Sequence, residues 1–185
     1  NGSYYSYINE DEDLKNVYKS MFIFIRSNFK LGINDFDGCL YDLDYAYEIK
    51  NKINSDDVKD SFKDNLINLE KLYINKGNCY LGRKEYSKAI NEYQNASNIN
   101  PKNTIIFNKL GEIKKLNGDF IGAKEDYIKA LFLDLENEET YRNLAEINKI
   151  LGNNREAIEN YEKSILLNPN NHLNYFSLAD LYAES

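Results

Sequence analysis

Apolar residues recur at helical spacing along most of this chain, and from Glu70 to Asn171 they recur in the same order every 34 residues. Within one copy, Tyr86, Ala89, Ile90, Tyr93 and Ala96 fall at i, i+3, i+4, i+7 and i+10, the spacing of one helical face. Tyr73, Lys76, Gly77 and Tyr80 do the same for the segment before it. Three copies align without a gap: Tyr73, Phe107 and Tyr141 form one column, and Gly77, Gly111 and Ala145 the next. Ala89, Ala123 and Ala157, then Tyr93, Tyr127 and Tyr161, then Ala96, Ala130 and Ser164 complete the register. Small residues at fixed positions let two helix axes approach. The turn between the two helices of a copy carries Gly82, Gly118 or Gly152. Asn100-Pro101 and Asn168-Pro169 stop the second helix, because a residue before proline is pushed out of the α region. The pattern predicts antiparallel helix pairs, each burying its apolar face by stacking on the next.

Outside that core the pattern is less regular. Residues 1–10 read as a polar tail. Asp11, Glu12 and Asp13 then precede Leu14, Val17, Tyr18, Met21, Ile25 and Phe29, which predicts a helix from Asp11 to Lys30 with carboxylates at the positive end of its dipole. Asp35-Phe36-x-Gly38-Cys39-x2-Asp42-x3-Ala46 lines up with Asp119-Phe120-x-Gly122-Ala123-x2-Asp126-x3-Ala130, so residues 11–53 read as an N-terminal helix plus a divergent copy over 20–53. Residues 54–69 are then an insertion; Val58, Phe62, Leu66, Leu69 and Tyr73 share a helical face, with Ser55 as its cap, and predict a backward extension of the following helix. The three clear copies are 70–103, 104–137 and 138–171. Tyr175, Leu178, Ala179 and Tyr182 make 172–185 the first helix of a further copy or a cap. The chain opens on Asn1-Gly2-Ser3 without a Met and stops inside a copy, which reads as a piece of a longer protein with more repeats beyond residue 185.

Tyr73-x3-Gly77-x2-Tyr80, then Tyr86-x2-Ala89-Ile90-x2-Tyr93-x2-Ala96 and Pro101, resembles the tetratricopeptide repeat (TPR) at nearly every signature slot. The second copy matches through Leu110-Gly111, Gly118, Ala123, Tyr127 and Ala130, departing at Lys114 and Leu135 where an aromatic and a proline are usual. The third matches through Tyr141, Leu144-Ala145, Gly152, Ala157, Tyr161 and Pro169, departing at Asn148 and Asn154. The resemblance implies an all-α fold, a right-handed superhelical solenoid of antiparallel helix pairs. It says less about function, since the signature residues are packing residues.

The net charge of −7 argues against nucleic acid or anionic lipid as the main partner. The longest apolar run, Met21 to Ile25, is too short to cross a bilayer, and an intracellular, cytoplasmic place is expected. Cys39 and Cys79 read as two inert thiols in a reducing compartment. His172 is the only histidine and reads as a solvated turn residue; no catalytic residue, cofactor site or metal site is predicted. Gly77 to Lys84 has the glycine spacing of a phosphate-binding loop, but Arg83 stands in the lysine slot and the stretch lies within a helix. Asp35, Asp37, Gly38 and Asp44 resemble part of a calcium loop, but Ile33 stands where the first carboxylate belongs.

In the TPR family the first helix of each pair lines a concave groove that holds a peptide or a partner's helix. Carried over residue by residue, the resemblance implies Lys71, Ile74, Asn75 and Asn78 as groove residues of the first clear copy. The second contributes Ile105, Asn108, Lys109, Glu112 and Lys115, and the third Glu139, Arg142, Asn143, Glu146 and Lys149. The family's clamp for acidic C-terminal tails needs a Lys/Asn, Asn, Lys/Arg arrangement. Its slots hold Ile74, Asn78, Lys109, Glu139 and Asn143 in one register, and Phe24, Asn28, Asn75, Ile105 and Lys109 in the other. Both lack cations needed to offset burial of a carboxylate, so the standard clamp is not expected. The expected function is a non-enzymatic scaffold or adaptor for protein–protein interaction within a multi-protein complex. The alternatives are a co-chaperone-like peptide binder with a non-standard clamp, or a regulatory TPR segment of a larger enzyme.

Overall fold

The computed structural model describes residues 3–53 and 67–184, and among them it is all helix, with no strand. The chain divides into two compact units, residues 1–99 and 100–185. The first contains α1 (Ser3–Gly32), α2 (Phe36–Lys52), α3 (Leu69–Gly82) and α4 (Tyr86–Ile99). Within it α1 pairs with α2 and α3 with α4, while α2 packs on α3. The second contains α5 (Thr104–Leu116), α6 (Phe120–Leu133), α7 (Glu138–Ile150), α8 (Asn154–Leu167) and α9 (His172–Glu184). Here α5 pairs with α6 and α7 with α8, α6 packs on α7, and α8 on α9. Helix pairs joined by short turns and stacked on their neighbours make this a helical solenoid fold.

The columns are where the helices meet. Ala89, Ala96, Tyr93, Ala123, Ala130, Tyr127, Ala157, Ser164 and Tyr161 are all buried. A Cβ on Gly77 would lie 2.6 Å from the Tyr93 ring, and one on Gly111 2.7 Å from the Tyr127 ring, so the glycines are the seats of the tyrosines. In the N-terminal hairpin Cys39, Leu43 and Ala46 are buried at the corresponding positions of α2.

The inter-helix turns share one geometry, which falls at Gly118 and Gly152 as expected but two residues after Gly82 in the first clear copy. Asn34, Lys84, Gly118 and Gly152 carry φ of 61°, 60°, 82° and 76°. Each donates its N–H to the carbonyl three residues back, and the next residue donates to the one five back: Lys84 to Leu81 and Glu85 to Tyr80, Gly118 to Lys115 and Asp119 to Lys114. This is the Schellman closure of a helix end. Gly82 is therefore not the turn glycine of its copy. It ends α3, and a Cβ there would fall 2.3 Å from the ring of Phe36, so it is small to admit α2.

Helix starts are set by short polar side chains. Asp35 accepts from Gly38 N–H at 3.0 Å and Asp119 from Gly122 N–H at 2.9 Å. Both glycines have no room for a Cβ beneath the capping carboxylate, which explains the shared Asp-Phe-x-Gly pattern. Asn68, Asn103 and Asn137 cap α3, α5 and α7. The departure from the TPR pattern at Lys114 also has a structural reason. Its Nζ sits 2.6 Å from Oδ2 of buried Asp126, as Lys30 Nζ sits 3.0 Å from Oδ2 of buried Asp42. Arg26 holds Asp42 in a two-bond fork at 2.8 and 2.6 Å and keeps its carboxyl below the usual range, against the burial that would raise it.

Three expectations are corrected. The first helix begins at Ser3 rather than Asp11, because Ser3 to Glu10 holds neither Gly nor Pro to stop it and the acidic run at 11–13 is not a boundary. The helix of the first clear copy starts at Leu69 with Asn68 as its cap and Ile67 outside any helix, so it does not run back continuously; Ser55, Val58, Phe62 and Leu66 lie outside the described residues. Cys39 and Cys79 are joined as a disulfide, with Cα atoms 6.7 Å apart. The divergent copy places Cys39 on the face of α2 that packs on α3, opposite Cys79, so the sulfurs meet. The cysteines therefore give no argument for a reducing compartment.

Candidate functional site

In the N-terminal unit, Lys71, Ile74, Asn75 and Asn78 stand one helical turn apart on α3, with Lys71 exposed and the others half-buried. Asn75 Nδ2 donates to Asn28 Oδ1 on α1 at 2.5 Å, tying two first helices together through their amides. Asn78 Oδ1 accepts from the Tyr93 hydroxyl at 2.6 Å. The face is a row of amides over a tyrosine, polar and uncharged apart from Lys71. Asn28 was not among the expected groove residues, although the divergent copy puts it in the Asn78 column.

In the C-terminal unit the same face is ionic. α5 supplies Ile105, Asn108, Lys109, Glu112 and Lys115, and α7 supplies Glu139, Arg142, Asn143, Glu146 and Lys149. Lys109 pairs with Glu112 at 2.6 Å within α5. Lys115 reaches Glu146 on α7 at 2.9 Å, and Arg142 holds Glu146 at 3.2 Å and Glu139 at 3.4 Å. Asn108 Oδ1 accepts from the Thr140 hydroxyl at 2.7 Å, again linking two first helices. Lys109, Lys115 and Arg142 thus each have a carboxylate partner. An incoming acidic ligand would have to displace one, which costs affinity.

The tyrosine column floors both faces. Glu112 occupies the slot that Asn78 holds in the preceding copy, but Lys109 takes its carboxylate. The buried Tyr127 hydroxyl has no hydrogen-bond partner among the described residues. Burial first, and then the nearby carboxylates of Glu112, Glu146 and Glu139, push its ionisation far above the ordinary range, so it stays protonated. The other candidate chemistries dissolve into packing. Gly77 to Lys84 lies within α3 and the turn after it, and the calcium-like carboxylates have other partners: Asp35 caps α2, Asp37 meets Arg83 and Asp44 meets Lys76. His172 is the first residue of α9.

Helical hairpins stacked with the first helices sharing an open, polar face define a helical-repeat protein of the interaction type. Two family profiles match the sequence, "TPR repeat" over residues 77–118 and "Tetratricopeptide repeat" over residues 138–171. The chain carries tetratricopeptide repeats over these residues. Among solved structures it resembles the MamA protein, with a TM-score of 0.74, 18% identity, and 89% of this chain and 82% of that chain covered. It also resembles the first TPR of Spaghetti (RPAP3) bound to the HSP90 peptide SRMEEVD, with a TM-score of 0.60, 23% identity, and 62% and 91% covered. The Sgt2 TPR domain from Aspergillus fumigatus gives 0.58 and 26% identity over 62% of this chain and 78% of that one. No curated protein sequence matches significantly. Among the described residues, no helix is long and apolar enough to cross a membrane.

Proposed function

We propose that this chain is a non-enzymatic scaffold or adaptor that binds a peptide or a partner's helix on the face formed by the first helices of its repeats, within a multi-protein assembly. Residues 20–53 serve as a divergent first repeat in that array, and their Asn28 belongs to the binding face with Asn75 and Asn78. The observation that carries the reading is the character of the first-helix face within each unit: linked amides in the N-terminal unit, mutually paired ions in the C-terminal unit. Amides supply both donors and acceptors and can hold a peptide backbone without reading its side chains. The paired ions would select by charge complementarity and reject a ligand of one sign.

Asn78→Ala, Asn108→Ala and Asn143→Ala combined, used as bait in a pull-down against the unaltered chain, test the face. Loss of captured partners is expected; full retention would place recognition elsewhere. A second reading, a peptide binder of the co-chaperone kind, is favoured by the likeness to the RPAP3 and Sgt2 domains. Against it, Lys109 is committed to Glu112. Titration with SRMEEVD is expected to give binding weaker than about 1 μM. Tighter binding that is abolished by Lys109→Glu would establish the second reading.

A further inference from the structure

Every stacking junction within a unit uses the same two positions of the incoming first helix. On α3 they are Leu72 and Cys79, buried against Leu43, Ala46 and Ile49 of α2. On α7 the second is Ile147, buried against Tyr127 and Leu131 of α6, and on α9 it is Leu181, buried against Ala157 and Tyr161 of α8. The register of the divergent copy puts Phe22 and Phe29 of α1 in these two columns. They are not covered: Phe22 is 64% exposed and Phe29 68%, with Ile25 at 56% on the same side of the helix and Ile33 at 59% in the turn that follows its last residue. Half-exposed Tyr18 lengthens the stripe by one turn. α1 thus presents a complete stacking face that no helix among the described residues occupies.

The stripe is almost symmetric about Ile25. Phe22 lies three residues before it and Phe29 four after, Tyr18 seven before and Ile33 eight after. Two antiparallel copies of α1 therefore bring Phe22 of one against Phe29 of the other, twice, with Ile25 near the axis, as a two-fold interface requires. Taking roughly 200 Å² for a large side chain, the four most exposed residues offer about 500 Å² per copy. A pair of copies hides about 1,000 Å², the threshold of a specific interface. The cations beside the stripe do not oppose pairing. Arg26 is forked onto Asp42, and Lys19 Nζ lies 5.2 Å above the ring of Tyr45. We propose that a second copy of this chain covers the face, through an antiparallel α1–α1 contact centred on Ile25.

Sedimentation of the whole chain tests this. A dimer is expected at about 100 μM, tightening as salt screens the −7 charge of each copy. Phe22→Glu with Phe29→Glu should weaken it by at least about 100-fold, while circular dichroism keeps its helical signal because both residues are exposed. Ile25→Cys should cross-link two copies under oxidation, since Cys39 and Cys79 already hold each other. A monomer at that concentration, a dimer indifferent to the double substitution, or no cross-link at residue 25 would each overturn the proposal. So would a monomeric chain whose α1 face captures a different protein's helix.

Discussion

The two units are made of the same hairpin, yet their junctions are held by different chemistry. In residues 1–99 the spacing between copies departs from the 34-residue period, and a disulfide sits in the middle of the apolar α2–α3 contact. In residues 100–185 the copies follow one another at a strict period, and the α7–α8–α9 junction is closed by a polar cluster. Glu138 Oε1 accepts from Ser164 Oγ at 2.8 Å, Asn174 Nδ2 at 2.9 Å and Asn171 Nδ2 at 3.0 Å. Thr140 and Asn174 are the buried polar members of a column that holds Leu72 in the first unit. The comparison teaches that the repeat demands size and spacing at its columns, whereas the means of gluing one hairpin to the next can change from copy to copy. The exposed side of the first helices, amide in one unit and ionic in the other, varies in the same way.

Breaking the disulfide should separate the units most. It closes a loop with a sequence separation of 40 residues, and its loss is expected to cost about 3–4 kcal/mol from chain entropy. Hydrogen exchange with and without dithiothreitol checks this: amides of α2 and α3 should lose protection and those of α7 to α9 should keep theirs. The next largest effect falls on the other unit. Glu138→Ala leaves three donors without their acceptor and should cost about 2–3 kcal/mol in α7 to α9. Burial alone would raise the Glu138 carboxyl, but Asn174, Ser164 and Asn171 outweigh it and hold it below its ordinary 4.5. Its contribution is therefore complete above that pH and is lost as the pH falls through the lowered value. Acid titration followed by denaturant melting should show the wild-type advantage over Glu138→Ala shrinking as pH is taken below the ordinary carboxyl value of 4.5.

Such contrasts mark what the sequence could reveal. The helix pairs and their columns were legible because period and side-chain size survive in every copy; Tyr93, Tyr127 and Tyr161 are buried where the register put them. The disulfide was not, because Cys39 and Cys79 meet only once the hairpin over 20–53 is stacked on α3. Nor was the Glu138 cluster, whose members come from three helices and the turn before α9 and carry no motif. The residues expected to line a groove do lie on first helices, but their pairing was not legible. Nothing in Lys109 or Arg142 alone says that a carboxylate already holds it. Asn68, Asn103 and Asn137 have a physical use as helix caps that the repeat pattern alone did not reveal.

A smaller test asks how tight the columns are. Gly77 and Ala145 share a column, and the first has no space for a methyl beside Tyr93. Gly77→Ala should destabilise α3–α4 by about 1–2 kcal/mol through overpacking, despite the better helix propensity of alanine. Ala145→Gly should destabilise α7–α8 by about 1 kcal/mol for the opposite reason, a methyl lost from a buried contact and a looser backbone. Denaturant midpoints of the two variants check the pair; a stabilised Gly77→Ala would show that the ring of Tyr93 gives way.

The smallest effect concerns the turns, where the first unit places Asn34 and Lys84 at positive φ and the second places glycines. Gly118 and Gly152 take positive φ without cost, whereas Lys84 holds φ of 60° in the equivalent turn of the first unit. A residue with a Cβ is penalised there by about 1–2 kcal/mol, and glycine gives back part of that gain through the wider freedom of its unfolded chain. Lys84→Gly should therefore stabilise the α3–α4 hairpin by about 0.5–1 kcal/mol. The Schellman bonds from residues 84 and 85 to Leu81 and Tyr80 are made by the backbone and survive the change. The reverse substitution, Gly118→Lys, should lower the stability of α5–α6 by a similar amount. Equal and opposite shifts in the midpoints of the two variants would show that the turn, and not its side chain, is what the copies have in common.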